Sequence, residues 1–266
     1  MAEPHASELR ELVLRGAGSR DIHGASRSVG FAERTPASDA FVARELARVE
    51  MHSLGTCKLL EAFAGHAPRI LDVGCSTGGG TVAMALSPAL SPALVVGVDP
   101  EPLSLRAAEV RARGYGLDPR HVSFAESPAG GALPFASNSF DLVACVSVLE
   151  FIPTRAGRRH MAHELKRVTR PGGYVFITTP SPFRLRELHS KRWLGHVFQR
   201  EVYPWATPPW TMGALFADFD RIPVGAWVTS RMLDRVGVPP RALPRSVAGA
   251  LSWASAWQRV LVRKPT

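Results

Sequence analysis

Cysteine is scarce in this sequence: Cys57, Cys75 and Cys145 are isolated and odd in number. No pair has the spacing of a zinc site or a redox dithiol, so a disulfide scaffold and a metal centre are both excluded as organising devices. Reduced thiols of a cytosolic protein are the expectation. Long apolar runs are missing as well, and nothing approaches the roughly 18 uninterrupted apolar residues of a membrane span. The opening MAEPHASELRELVLRG is mildly acidic and amphipathic, with no apolar signal core. These absences together predict a cytoplasmic protein. Acidic residues are scarce in one half only. Residues 151–266 carry 19 Lys and Arg against 6 Asp and Glu, whereas residues 1–150 carry 13 against 17.

What is present is an ordinary globular composition, 266 residues with 45% hydrophobic and 21% charged side chains, enough for a substantial core. Residues 1–37 mix polar residues with Gly16, Gly18, Gly24 and Pro36, as a mobile arm or cap would. Ser38 and Asp39 can cap a helix running to about Gly65, with Val42, Leu46 and Val49 on one face. From residue 69 the rhythm alternates. Short apolar runs at 69–73, 94–98, 121–124, 140–145 and 174–179 read as strands covered on both faces. Between them, 101–113 and 154–169 read as helices. The first has an acid in its first turn, Arg111 and Arg113 in its last to match the helix dipole, and a stop at Gly114. Such alternation implies a parallel sheet with right-handed crossovers. After Thr179 the rhythm breaks into a proline-rich stretch, then a short helix near 211–216 and strands near 219–224 and 258–263. A loop of the length of 181–210 inside a domain is commonly a lid or substrate-binding insertion.

The segment ILDVGCSTGGG (70–80) is an apolar strand ending in Asp72, then a turn with Gly74 and Gly78, then a helix beginning near Thr81. Glycine lets a backbone approach a ligand, and the N–H groups opening a helix suit a carboxylate or phosphate. Taken alone, this is any nucleotide-binding turn or a plain strand–helix connection. In VVGVDP (95–100), Asp99 closes the next strand, 25 residues beyond Gly74. A carboxylate there can accept both hydroxyls of a ribose, or it can cap the helix that follows. Two longer segments complete the series: FAESPAGGALPFASNSFDLVACVSVLEFIP (124–153) and ELKRVTRPGGYVFITTP (164–180).

Taken in order, these segments resemble the class I S-adenosylmethionine (SAM)-dependent methyltransferase family, in particular its ubiquinone/menaquinone-biosynthesis-type small-molecule branch. That pattern reads D-x-G-C-G-x-G, an acid ending strand two, an acid before L-P-F, then F-D-x-V, V-L-E-H and R-V-L-K-P-G-G. Each landmark is weak alone; their order over 70–180 is specific. The resemblance implies a doubly wound, Rossmann-like α/β sheet of seven strands in the order 3-2-1-4-5-7-6, strand seven antiparallel, with SAM across the strands' carboxyl ends. It implies residues 1–65 as an N-terminal arm and cap helix and 66–266 as the methyltransferase domain, with 181–210 contacting the acceptor. Asp72, Gly74, Cys75, Ser76 and Gly78 would surround the methionine moiety. Asp99 would hold the ribose, Pro100 would flank the adenine, and Glu126 with its neighbour Ser127 would meet the adenine amino group. Cys145 and Val146 would line the methyl region, and Arg167, Pro171, Gly172 and Gly173 would be structural. The chain departs from the pattern at Ser76 (for the middle glycine), Glu126 (for aspartate) and Phe151 (for histidine), the last removing an acid/base candidate. No catalytic residue is assigned.

A nicotinamide- or flavin-binding fold is the nearest enzymatic rival, but its G-x-G-x-x-G fingerprint is broken here and it leaves FDLV and RPGG unexplained. The basic second half, which holds all six tryptophans, keeps a different reading open: binding of nucleic acid or a lipid-like acceptor through Arg and Trp. The same residues can wall a pocket for a small, anionic or aromatic acceptor. His160 and His163 are expected to face solvent, and His189 and His196 fall in the insertion. O-methylation of a small molecule is the leading expectation.

Overall fold

A computed structural model describes residues 5–18, 39–64, 66–90, 94–152, 154–181, 209–235, 244 and 257–266. Most of the 181–210 stretch, including His189, His196, Trp193 and Trp205, lies outside the described residues, as do Trp253 and all of 19–38.

Seven strands form one sheet: β1 (Arg69–Val73), β2 (Leu94–Asp99), β3 (Val122–Glu126), β4 (Phe140–Val146), β5 (Thr169–Pro180), β6 (Asp220–Ile222) and β7 (Trp257–Arg263). Their order is 3-2-1-4-5-7-6, as expected. Strands β1 to β5 pair in parallel, and β7 runs antiparallel to both β5 and β6. The alternation within each apolar run explains two cores. Leu71, Val73, Val96, Val98, Val143 and Cys145 face one side, against Met161, Leu165 and Val168 of a helix at Arg155–Val168. Ile70, Val95, Leu142 and Ala144 face the other, against Leu59, Leu60, Val82 and Met84. Both faces are dry, which is why the strands read as nearly continuous apolar runs.

The helices are α1 (Ala6–Gly18), α2 (Asp39–Leu46), α3 (Arg48–His52), α4 (Lys58–Phe63), α5 (Gly79–Leu86), α6 (Pro102–Gly114), α7 (Arg155–Val168), α8 (Pro209–Leu215) and α9 (Gly225–Arg235). Four findings differ from the sequence-based outline. The helix expected over 38–65 is interrupted: a π-helical turn at Ser53–Cys57 separates α3 from α4. The expected Val42–Leu46–Val49 stripe is divided between two cores, Val42 packing with Leu9, Val13, Ala107 and Val110 while Val49 joins the sheet's core. Within the expected arm, α1 is a helix whose Leu9 and Val13 are buried on α6. Finally, α6 runs through Gly114 and the chain turns at Gly116, which has φ +68°. Thr154 caps α7, its Oγ1 accepting from Gly157 N at 2.9 Å.

Candidate cofactor site

The carboxyl ends of β1, β2 and β3 lie side by side, and the turn after β1 is wound by three residues with left-handed backbone. Gly74, Ser76 and Gly78 have φ of +72°, +50° and +76°. The turn is pinned to β2, because Gly74 N and Cys75 N both donate to Val98 O at 2.8 and 3.0 Å. The glycines are needed for packing against protein as well as for backbone freedom. A Cβ on Gly74 would stand 2.3 Å from Val148 Cγ2, and one on Gly78 would stand 2.6 Å from Ala108 Cβ. Ser76 carries a side chain where the backbone conformation disfavours one, a strain of about 1–3 kcal/mol. Its N–H donates to Asp99 Oδ2 at 2.8 Å. Its Oγ is buried and has no hydrogen-bond partner among the described residues.

Asp99 bonds the residue before α6 without capping the helix, and leaves room for the ligand role. Its Oδ1 accepts from Glu101 N at 3.0 Å, next to the start of α6, and it is 8% exposed. Each carboxylate oxygen can accept more than one hydrogen bond. Burial raises its pKa, opposed by the N–H groups of Ser76 and Glu101. Asp72 is buried more deeply. Thr81 Oγ1 donates to its Oδ2 at 2.7 Å, and burial pushes its carboxyl up to about 6. Cys75 is buried beside it, and burial holds its thiol well above the ordinary range. Pro100 is half-buried after β2. Glu126 ends β3 in register with Asp99 and is exposed, while Ser127 is buried with its N–H on Asp99 O at 3.2 Å.

The turn therefore gathers Asp72, Gly74, Cys75, Ser76, Gly78, Asp99, Pro100, Glu126 and Ser127 at one end of the sheet. Cys145 is placed differently: its side chain is fully buried in the core with Leu71 and Val73, and Val146 points to the opposite face. The residue of this stretch that closes on the turn is Val148, just past Ser147, whose φ of +60° lifts the chain away from β4.

Residues before the motif also reach the site. His52 of α3 lies with its ring 3.7 Å from where a Cβ on Gly80 would sit, and Arg48 Cβ would meet one on Gly79 at 2.4 Å. Burial, then the charges of Arg48 and Arg111, push the His52 imidazole down to about 4, so it is neutral at pH 7. Glu45, Thr77 and Arg111 form hydrogen bonds behind the turn. Sequence spacing gave no sign of these contacts, because the partners stand 32, 34 and 66 residues apart. Arg111 was read as a helix-dipole partner and is instead fully buried.

Residues 71–177 match a family model described as a methyltransferase domain. A ubiquinone biosynthesis O-methyltransferase of Paracidovorax citrulli (strain AAC00-1) is 37% identical over 111 residues, 42% of this chain and 43% of that protein. The 27-O-demethylrifamycin SV methyltransferase of Amycolatopsis mediterranei (strain S699) is 31% identical over 136 residues, 48% of this chain and 47% of that protein. The chain thus spans less than half the length of these curated relatives. Among solved structures, the [4+2]-cyclase SpnF covers 96% of this chain and 92% of its own at a TM-score of 0.54 and 20% identity. A SAM-dependent methyltransferase from Methanosarcina mazei covers 75% and 93% at 0.52 and 19%. At such identities the likeness is one of fold. The ordered motifs and the matched region make residues 71–177 similar to a methyltransferase domain, and the strand order gives the chain a fold like that of the SAM-dependent methyltransferase from Methanosarcina mazei.

Proposed function

We propose that the chain is an enzyme that transfers the methyl group of SAM to a small-molecule acceptor, at an oxygen atom. The observation that carries this reading is the Ser76–Asp99 pair at the carboxyl ends of β1 and β2. A buried hydroxyl with no partner among the described residues sits beside a carboxylate with acceptor capacity remaining, in a turn held open by left-handed backbone. These residues fit the cofactor: Asp99 would accept from the ribose hydroxyls, Ser76 Oγ would gain the hydrogen bond it lacks, and Glu126 with Ser127 would border the adenine. SAM supplies a methyl group already activated on a cationic sulfur.

The protein's share of the chemistry is then positioning and exclusion of water. Val148 covers the turn, and Asp72, held by Thr81, supplies negative charge on its floor. An alcohol or phenol acceptor keeps its proton at neutral pH and needs a base to take it. Phe151 cannot serve there. The acceptor contacts are assigned to 181–210, which follows β5 at the end of the sheet where ligands of open α/β folds gather. Oxygen as the target rests on the two relatives whose names state O-methylation.

Calorimetry with S-adenosylhomocysteine (SAH), followed by transfer of labelled methyl to a panel of phenols, alcohols and amines, tests the proposal. SAH binding with label on oxygen supports it. No SAH binding removes the cofactor reading, and label on nitrogen removes the oxygen assignment. The competing idea is that the basic half binds nucleic acid or an anionic lipid surface. Salt-sensitive retention on RNA or anionic vesicles without methyl transfer favours that idea.

A further inference from the structure

Among the described residues, Arg111 is the largest side chain fully withdrawn from solvent, and none of the sequence motifs uses it. It stands in the last turn of α6 and donates to both the cofactor turn and α2. Nη1 donates to Thr77 O and, at 2.8 Å, to Thr77 Oγ1; Nη2 donates to Glu45 O at 2.5 Å. Thr77 Oγ1 donates in turn to Glu45 Oε2 at 3.1 Å, and the other Glu45 oxygen accepts from Arg48 Nε at 2.8 Å. Glu45 is itself 5% exposed.

Burying a guanidinium and a carboxylate costs several kcal/mol per ion before pairing, and a well-packed apolar side chain fills the same space more cheaply. The arrangement therefore suits a need for geometry more than for stability. A guanidinium is a rigid planar fork. By holding both the carbonyl and the hydroxyl of Thr77, it fixes the Thr77–Gly78 peptide plane between two left-handed residues, Ser76 and Gly78. The same contacts join that plane to α2, an element outside the matched region. We infer that Arg111 is a positioning residue for the cofactor turn, acting through Thr77, and that Glu45 ties the docking of α2 to the shape of that turn. The inference rests on the reading of the turn as the SAM site. Since coupling between two sites is reciprocal, cofactor on the turn holds α2 in place and α2 tightens the cofactor.

The test titrates SAH into the wild type, Thr77→Ser and Thr77→Val, with trypsin cleavage at the exposed Arg44 as a second readout. Thr77→Ser keeps the hydroxyl, and Thr77→Val keeps the shape without it. Hydrogen bonds to charged groups predict that Thr77→Val binds SAH about tenfold or more weakly, while Thr77→Ser stays close to wild type. SAH should slow cleavage at Arg44 in the wild type and Thr77→Ser but not in Thr77→Val. A lowered melting temperature in Thr77→Val with SAH affinity and protection unchanged overturns the inference, since that is what a merely structural hydroxyl would give. Absence of SAH binding in the wild type overturns the cofactor reading instead. If Thr77→Val does not fold, Glu45→Gln, which keeps the size and removes the charge facing Arg48, is judged by the same affinity and protection outcomes.

Discussion

Two polar junctions of this molecule can be set side by side, the turn after β1 and the clasp between α7 and the segment entering β4. In the clasp every group meets a partner. Arg167 donates to both oxygens of Glu164 at 2.8 and 2.7 Å, to Phe135 O at 2.7 Å and to Leu133 O at 3.0 Å. Glu164 also accepts from Leu133 N at 2.8 Å, and Arg167 above all holds its carboxyl down at about 2. The turn is the reverse. Its carboxyls at 72 and 99 are raised by burial, Ser76 Oγ lacks a partner among the described residues, and three backbone angles are left-handed. One junction is complete as it stands, as befits a structural tie. The other is left with unused bonding capacity, which is where a ligand can add most.

The largest test of that contrast is Gly74→Val. A Cβ there meets Val148 Cγ2 and the residue must hold φ +72°, so SAH binding should vanish by calorimetry and urea denaturation should show a less stable fold. Unaltered SAH affinity would break the assignment of the turn. Next is Asp99→Ala, which removes two hydrogen bonds to a charged acceptor and should weaken SAH by roughly 2–4 kcal/mol. Equal affinity would leave Asp99 only its structural bonds to Ser76 N and Glu101 N. Arg167→Met should lower stability by about 2 kcal/mol through the unpaired Glu164, with SAH affinity unchanged. A drop in affinity would show that the two junctions are not separate.

The smallest effect is in pH. Asp72 is raised to about 6 from an ordinary 3.8, so the folded state holds its proton longer and this group's contribution to stability falls as pH rises from about 4 to about 6. His52 is lowered to about 4 from 6.5, so its contribution falls as pH drops from about 6.5 to about 4. Relative to wild type, Asp72→Asn should gain stability on raising the pH through that window, and His52→Gln should gain on lowering it. Chemical denaturation at several pH values reads both slopes, and parallel slopes in the two variants would contradict the assignment.

The sheet was legible because its signals are local. The apolar run at 69–73 matches β1 at both ends, and the helix read over 154–169 matches α7 to within one residue at each end. The glycines at 74 and 78 were legible as turn residues, although the steric partners that demand them, Val148 and Ala108, were not. Helix α9 went unread, and β5 begins five residues earlier than its apolar core suggests. The reach of α2 and α3 into the site was also hidden, since an arginine in a last helical turn looks the same whether it faces water or, like Arg111, the interior. Contacts set by tertiary packing have no sequence period to betray them.

The π turn at Ser53–Cys57 has a consequence for alignment between α3 and α4. A π turn holds one residue more than the α-helical path, and each residue of an α-helix advances the azimuth by roughly 100°. The extra residue therefore acts as a gear between the two. Without it, a helix phased to put Leu59 and Leu60 on the sheet would carry Val49 and His52 around to another bearing. With it, α4 is keyed to the sheet while α3 keeps Val49 in the same core and His52 beside Gly80, and Met51 and Leu54 are left outward at the changeover, 56% and 63% exposed.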